Sequence, residues 1–154
     1  MKIFRLEKSI KLPITIEECW EFFSSPRNLK IITPDYMGFN IIDREKTKMY
    51  SGQIIKYNVT PIFGINMKWV TEISHVKEYK FFVDEQRFGP YKFWHHKHFF
   101  DEVEGGMRCR DEIHYLPPAL ILNPIVNALS IAPKLKEIFD YRTQVLIDTF
   151  GELI

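Results

Sequence analysis

The stretch from Phe81 to Pro118 reads as three antiparallel strands with polar groups on an apolar inner face, which commits the middle of the chain to a sheet. The last two strands meet at Glu104-Gly105-Gly106-Met107, and Gly-Gly is a two-residue hairpin signal because both positions tolerate positive φ. With Gly105 and Gly106 at the tip, Phe100 is expected opposite Asp111, His98 opposite Ile113 and His96 opposite Tyr115. Side chains alternate along a strand, so Trp94, His96, His98 and Phe100 share a face with Cys109, Asp111, Ile113 and Tyr115. The opposite face, with His95, Lys97, Asp101, Arg108, Arg110, Glu112 and His114, suits solvent. An apolar face holding two imidazoles and a carboxylate is the pattern of a lined pocket rather than a plain core.

The turn at Gly89-Pro90 sets a second expected register, with Glu85 opposite Trp94, Val83 opposite His96 and Phe81 opposite His98. Glu85 then lies diagonal to His96, and Asp111 diagonal to His98, about 7–8 Å apart and within side-chain reach. A loop of odd length would turn the strand over and exchange its two faces.

Elsewhere the signals are local. Phe4, Leu6, Ile10 and Leu12 fall on one side of a first strand that ends at Pro13. Thr15-Ile16-Glu17-Glu18 is a capping box opening a helix that buries Cys19, Trp20 and Phe23. A second short helix carries Leu29, Ile31 and Ile32 and stops at Thr33-Pro34. Strands follow over Phe39–Asp43, Ile54–Thr60 and Asn66–Val76, with Tyr57 pointing inward and Met67, Trp69, Thr71 and Ile73 on one face. From Pro124 to Phe150 the period changes: Ile125, Leu129, Ala132, Leu135, Phe139, Arg142, Leu146 and Phe150 mark one long amphipathic helix, broken or kinked at Pro133. The expected class is α+β, a single domain over residues 1–154.

A chain of 154 residues, 45% hydrophobic and with thirteen phenylalanines, is long enough for one substantial core. Its formal charge of +1, with acids and bases interspersed, gives no basic stripe for a nucleic-acid partner. No apolar run reaches membrane-spanning length, and the opening residues carry no leader-like pattern, so a cytoplasmic location without integral membrane contact is expected. Cys19 and Cys109 fit reduced, buried thiols, with a disulfide as the open alternative. No glycine-rich phosphate loop or G-x-S-x-G elbow occurs, and no cofactor is expected.

Several local features belong together: Trp20 and Phe23, Ser25-Pro26-Arg27-Asn28-Leu29, Thr33-Pro34, Gly89-Pro90, Trp94-His95-His96-Lys97-His98, Gly105-Gly106, Arg110-Asp111 and Tyr115-Leu116-Pro117. With the strand–helix–helix–six-strand–helix order they resemble the START-like superfamily, also called SRPBCC, Bet v 1-like or helix-grip. The similarity extends to a small bacterial branch often labelled "cell division inhibitor" or polyketide-cyclase-like. The resemblance implies a curved antiparallel sheet of about seven strands gripping a long C-terminal helix, two short helices after the first strand, and an apolar cavity between sheet and helix. Lipid carriers, hormone receptors, cyclases and oxygenase subunits share that architecture, so it does not choose a function.

The main functional expectation is binding, as carrier or sensor, of a small apolar or amphipathic molecule. The ligand-binding set is Tyr57, Trp69, Thr71, Val83, Glu85, Trp94, His96, His98, Phe100, Asp111, Tyr115, Phe139 and Arg142. One alternative is a polyketide cyclase/dehydratase-like enzyme using a His–carboxylate pair in the same cavity, with His98, Asp111 and Tyr115 as catalytic candidates. Another is a protein-interaction module linked to cell division. Mutual pairing of the inner histidines and carboxylates without any ligand is the bland account of the same residues. A metal set of His96, His98 and Asp111 is a further option, with Glu102 on the same strand face. Arg142 either caps a ligand carboxylate, pairs with Glu85 or snorkels from the helix edge. The cavity rim is placed at Pro61–Asn66, at Gly89-Pro90 and before the last helix, with Phe63 and Ile65 as a gate or a dimer contact. The oligomeric state is left open.

Overall fold

The computed structural model describes residues 2–42, 48–60, 64–117 and 124–154. Seven strands form one sheet: β1 (Phe4–Leu12), β2 (Asn40–Ile41), β3 (Gln53–Val59), β4 (Met67–Lys77), β5 (Phe81–Phe88), β6 (Phe93–Val103) and β7 (Gly106–Leu116). Their order is β1-β7-β6-β5-β4-β3-β2 and every pairing is antiparallel. Between β1 and β2 lie α1 (Ile16–Phe23), α2 (Pro26–Ile31) and a 3-10 turn, Asp35–Met37. After β7 come α3 (Pro124–Val126), a π-helical segment (Asn127–Ile131) and α4 (Ala132–Phe150). The curved sheet and the long C-terminal helix make this the helix-grip architecture.

The capping box forms as its pattern requires. The Glu18 amide donates to Thr15 Oγ1 at 3.2 Å, and the Thr15 amide donates to the Glu18 carboxylate at 2.8 Å. The helix so started buries Cys19, Trp20 and Phe23 against the sheet, where Trp20 stands edge-on to Phe82 and Phe100. Each such side chain withdrawn from water contributes about 1.5–3 kcal/mol. Cys19 and Cys109 are both free and buried, with their sulfurs 3.4 Å apart. Ile31 is exposed, while Ile32 is buried. The strand expected over Phe39–Asp43 is confined to Asn40–Ile41, and Asp43 lies outside the described residues.

Two registers differ from the sequence expectation. In the β6–β7 hairpin, Val103 closes on Gly106, which brings His98 opposite Asp111, His96 opposite Ile113 and Trp94 opposite Tyr115. The tip is Glu104-Gly105, with Gly105 at φ +82°. Gly106 is instead a strand residue pressed against β1, where a Cβ would stand 2.1 Å from the Leu12 carbonyl oxygen. The slip is two residues, so the inner face keeps its members.

The β5–β6 register is displaced by one residue, which reverses the faces of β5. Phe82 pairs with His98, Asp84 with His96 and Glu85 with His95. The loop is closed by a side chain rather than by ladder bonds. Gln86 Nε2 donates to the Tyr91 carbonyl at 2.6 Å, and the Tyr91 amide donates to Gln86 Oε1 at 3.1 Å. Phe82 and Asp84 therefore face the cavity. Val83 and Glu85 turn to the other side, where Glu85 meets His95 and Arg87.

The apolar stripe of the last helix is also rephased. Pro133 has no amide hydrogen, and the Ala132 amide just before it reaches five residues back to the Asn127 carbonyl. That wide turn directs Asn127 and Ile131 inward, continuous with Leu135, Phe139, Arg142 and Leu146. Ile125 and Leu129, expected on the stripe, are 67% and 75% exposed.

Candidate functional site

Trp94, His96 and His98 emerge on the concave side of β6 because alternate residues of a strand share a face. Asp84 joins them from β5, Asp111 from β7 and Arg142 from α4. His96 Nε2 donates to Asp111 Oδ1 at 3.0 Å, and His98 Nε2 donates to Asp84 Oδ2 at 2.7 Å. The remaining ring nitrogens close the set crosswise: His96 Nδ1 stands 3.3 Å from Asp84 Oδ2, and His98 Nδ1 2.9 Å from Asp111 Oδ1. The two imidazoles lie with centroids 3.8 Å apart, His98 is stacked on Phe82 at 4.1 Å, and Phe139 meets His96 edge-on. Arg142 Nη2 approaches Asp111 Oδ1 at 3.2 Å, so the arginine neither pairs with Glu85 nor snorkels to solvent.

Burial by itself disfavours every charge here, and the contacts decide which charges persist. For Asp111 the burial penalty is outweighed by the Arg142 charge and the bonds from His96 and His98, which hold its carboxyl well below the usual range. Asp84 is likewise lowered against burial, by the His96 charge and the His98 bond. The two histidines diverge. Burial and the adjacent His98 charge push His96 below its ordinary value, overcoming Asp84 and Asp111. For His98 burial pulls the same way, but the bonds to Asp111 and Asp84 prevail and raise it. One imidazole is thus pushed toward its neutral form beside one pushed toward its cation.

These groups face a cavity of about 170 Å³ between the sheet and α4. An apolar cavity of about 150 Å³ suffices for benzene, so this one admits a ring-sized body. Its far wall is built from Tyr57, Trp69, Thr71 and Tyr91; Tyr57 Oη and Thr71 Oγ1 are 2.9 Å apart, and Tyr57 stacks on Trp69. Burial, then the charge of Asp84, raises the Tyr57 phenol, which keeps it neutral. Partly exposed lining residues, Leu29, Ile41, Met49 and Ile138, gather near α2, β2 and the middle of α4. Ile65 is exposed and does not line the cavity, and the expected gate residue Phe63 lies outside the described residues, as does Pro118.

Of the residues singled out from sequence, Tyr57, Trp69, Thr71, Trp94, His96, His98, Phe139 and Arg142 line the cavity. Asp111 stands behind them, hydrogen-bonded to His96 and within ion-pair distance of His98 and Arg142. Val83 and Glu85 lie across the sheet because of the one-residue register change. Phe100 packs with Trp20, Phe23 and Phe82 outside the lining. Tyr115 stacks on Phe4 and interacts with Asn127, apart from the histidines it was expected to join. Asp84 is the site carboxylate that sequence reasoning missed; Gln86, placed to seal the loop, was the available signal.

Donor atoms of Asp84, His96 and His98 lie within 4.8 Å of one another, so these three could hold a metal ion. The carboxylate differs from the expected one: Asp111 is taken up by Arg142 and the imidazoles. Glu102, the further ligand considered from sequence, is exposed. No helix among the described residues is long and apolar enough to cross a membrane.

No protein-family model matches the chain, and no curated protein matches it. Solved structures do. The Zhui aromatase/cyclase from Streptomyces sp. R1128 superposes with a TM-score of 0.73 at 9% identity, over 96% of this chain and 93% of that one. Protein CV1439 from Chromobacterium violaceum gives 0.69 at 11% identity, over 99% and 100%. Protein Ms6760 from Mycobacterium smegmatis gives 0.65 at 18% identity, over 97% and 98%. At such identities the likeness shows a shared helix-grip fold.

Proposed function

We propose that this protein is an acid–base enzyme of the cyclase/dehydratase type, acting on a ring-sized apolar compound that carries a carbonyl. The observation that carries this reading is the pair of imidazoles, 3.8 Å apart on the wall of an apolar cavity, each bonded to a different, partly buried carboxylate. Two titratable groups whose surroundings drive them apart are suited to the opposite halves of a proton transfer. His96, held neutral, takes the proton from the carbon next to the carbonyl. His98, pushed toward its cation, gives its proton to the departing β-hydroxyl, which leaves as water while a carbon–carbon double bond forms. Asp84 and Asp111 orient the rings and do not themselves change protonation. The fold shared with an aromatase/cyclase is consistent with this chemistry without identifying it.

Simple binding is the second reading, favoured by the mutual pairing of the polar groups, which needs no substrate to satisfy it. Exchange of the methyl protons of acetophenone in heavy water separates the two readings by proton NMR. The enzyme reading expects the wild-type protein to accelerate exchange about 10²–10⁴-fold over buffer, with the gain lost in His96→Gln. Acetophenone that binds without accelerated exchange would leave a carrier.

A further inference from the structure

The two imidazoles have a carboxylate on either side, and the sides differ. Asp111 Oδ1 meets His96 Nε2 at 3.0 Å, His98 Nδ1 at 2.9 Å and Arg142 Nη2 at 3.2 Å. A guanidinium at that distance repels a metal cation from the Asp111 side. Asp84 Oδ2 meets the other nitrogen of each ring, His98 Nε2 at 2.7 Å and His96 Nδ1 at 3.3 Å. Asp84, His96 and His98 line the cavity, and Asp111 does not. The Asp84 side is therefore the one where an ion arriving through the cavity can be held.

The atoms on that side are spaced as donors around one centre. In its neutral form His96 gives the Nε2 hydrogen to Asp111 and turns a bare Nδ1 toward Asp84 Oδ2, so two acceptors face each other. A cation between them removes the conflict. Nitrogen and carboxylate donors about 2.1 Å from one zinc ion lie about 3.0–3.4 Å from each other, between the right angle and the tetrahedral angle. The 3.3 Å contact already has that spacing, and the 2.7 Å contact opens slightly when its hydrogen leaves. All three donor atoms lie within 4.8 Å of one another. Metal-ligating histidines commonly direct their other ring nitrogen at a carboxylate that fixes the ring. Asp111 accepts from His96 in this way and lies 2.9 Å from the corresponding nitrogen of His98. Charge points the same way, since the two carboxylates face one guanidinium, and the second positive charge is either a proton or a metal ion.

We infer that Asp84 Oδ2, His96 Nδ1 and His98 Nε2 form a binding site for one divalent transition-metal cation, with Asp111 as the outer carboxylate that aims both rings. Two nitrogens and one carboxylate suit zinc, cobalt or iron(II), whereas magnesium and calcium require oxygen donors throughout. The ion enters in exchange for the hydrogen that His98 Nε2 shares with Asp84, which leaves to solvent as a proton. The inference does not depend on the proton-transfer reading. The ion draws on the same ring nitrogens, so the metal-bound and proton-shuttling forms exclude each other.

The test is titration of the chelator-stripped protein with cobalt(II), followed by visible absorption and by the proton NMR shifts of the histidine rings. The expected result is one equivalent bound, displaced by zinc and not by magnesium, with the large paramagnetic shifts confined to the rings of His96 and His98. Asp111→Asn should weaken binding about 10–100-fold, the scale for losing an outer carboxylate. Asp84→Asn, checked for folding by circular dichroism, should abolish it. Failure of the wild-type protein to take up cobalt would overturn the inference. So would shifts falling instead on His95 and His114, which face each other, partly exposed, on the outer side of the sheet. Undiminished binding by folded Asp84→Asn would overturn the ligand set. Acetophenone exchange measured in the presence of chelator reads the proton-transfer proposal alone, so the two readings fail separately.

Discussion

His96 and His98 are two residues apart on one strand, yet their surroundings drive them in opposite directions. The raised His98 contributes stability that is complete below its ordinary value of 6.5 and is lost as the pH climbs through the raised one. The depressed His96 stays neutral in the fold while the unfolded imidazole takes a proton below 6.5, so stability falls as the pH drops from there. The two slopes meet near 6.5. The lowered Asp84 and Asp111 contribute stability that is lost only in acid, below the usual carboxylate value of about 3.9. Melting temperatures between about pH 5 and 8 should therefore peak in the middle. His98→Gln should flatten the alkaline limb and His96→Gln the acid limb; variants running parallel to the wild-type curve would refute this account of the cluster. Both histidines and Asp111 were legible because they alternate with apolar residues beside a glycine turn. Asp84 was not, because Phe81-Phe82-Val83 is apolar on both faces and gives the strand no preferred side.

At the level of elements, the tip of the β6–β7 hairpin shows how a turn motif can be read correctly and its register misplaced. Adjacent glycines announced the turn, but they serve different ends. Gly105 supplies the left-handed backbone, and Gly106 the space beside Leu12. Gly105→Ala should cost about 1 kcal/mol, the scale of strain for alanine at positive φ. Gly106→Ala must move the backbone of β1 and should cost about 1–3 kcal/mol or more. Chemical denaturation of the two variants gives the order; a milder loss at Gly106 would contradict the close approach. The C-terminal helix teaches a similar point. Pro133 marked the interruption, but the direction of the break depends on which carbonyl receives the Ala132 amide, and no residue pattern announced a five-residue reach.

Across the whole molecule, α4 is tied to the sheet by contacts of very different weight. Lys8 of β1 pairs with Asp140 at the periphery, Tyr36 donates to Glu137 at 2.8 Å on the other flank, and Arg142 enters the cluster between them. Both side chains of the Lys8–Asp140 pair are partly exposed, so Lys8→Met should cost no more than about 1 kcal/mol. Arg142→Met leaves the partly buried Asp111 with its histidines alone and should cost about 3 kcal/mol, the low end for breaking a buried pair. In a domain of this size that is a fall of about 6–12 °C in melting temperature. Calorimetry on both variants would expose an error if the peripheral lysine mattered more. The general layout was readable from strand periodicity and the late change to a helical period. The cavity was not, because a void belongs to the spacing of two layers and is written in no single segment.

The Gln86 side chain that seals the β5–β6 loop has a consequence for descent. Whether Asp84 or Glu85 faces the histidines depends on whether the connection is odd or even in length. Losing or gaining one residue between Gly89 and Lys92 would leave the strands, their order and both imidazoles in place. It would nonetheless exchange one acid for another with a longer arm. A lineage carrying this scaffold could thus inherit a new chemistry through an indel in a surface loop, with every residue of the ancestral site still present in its genome.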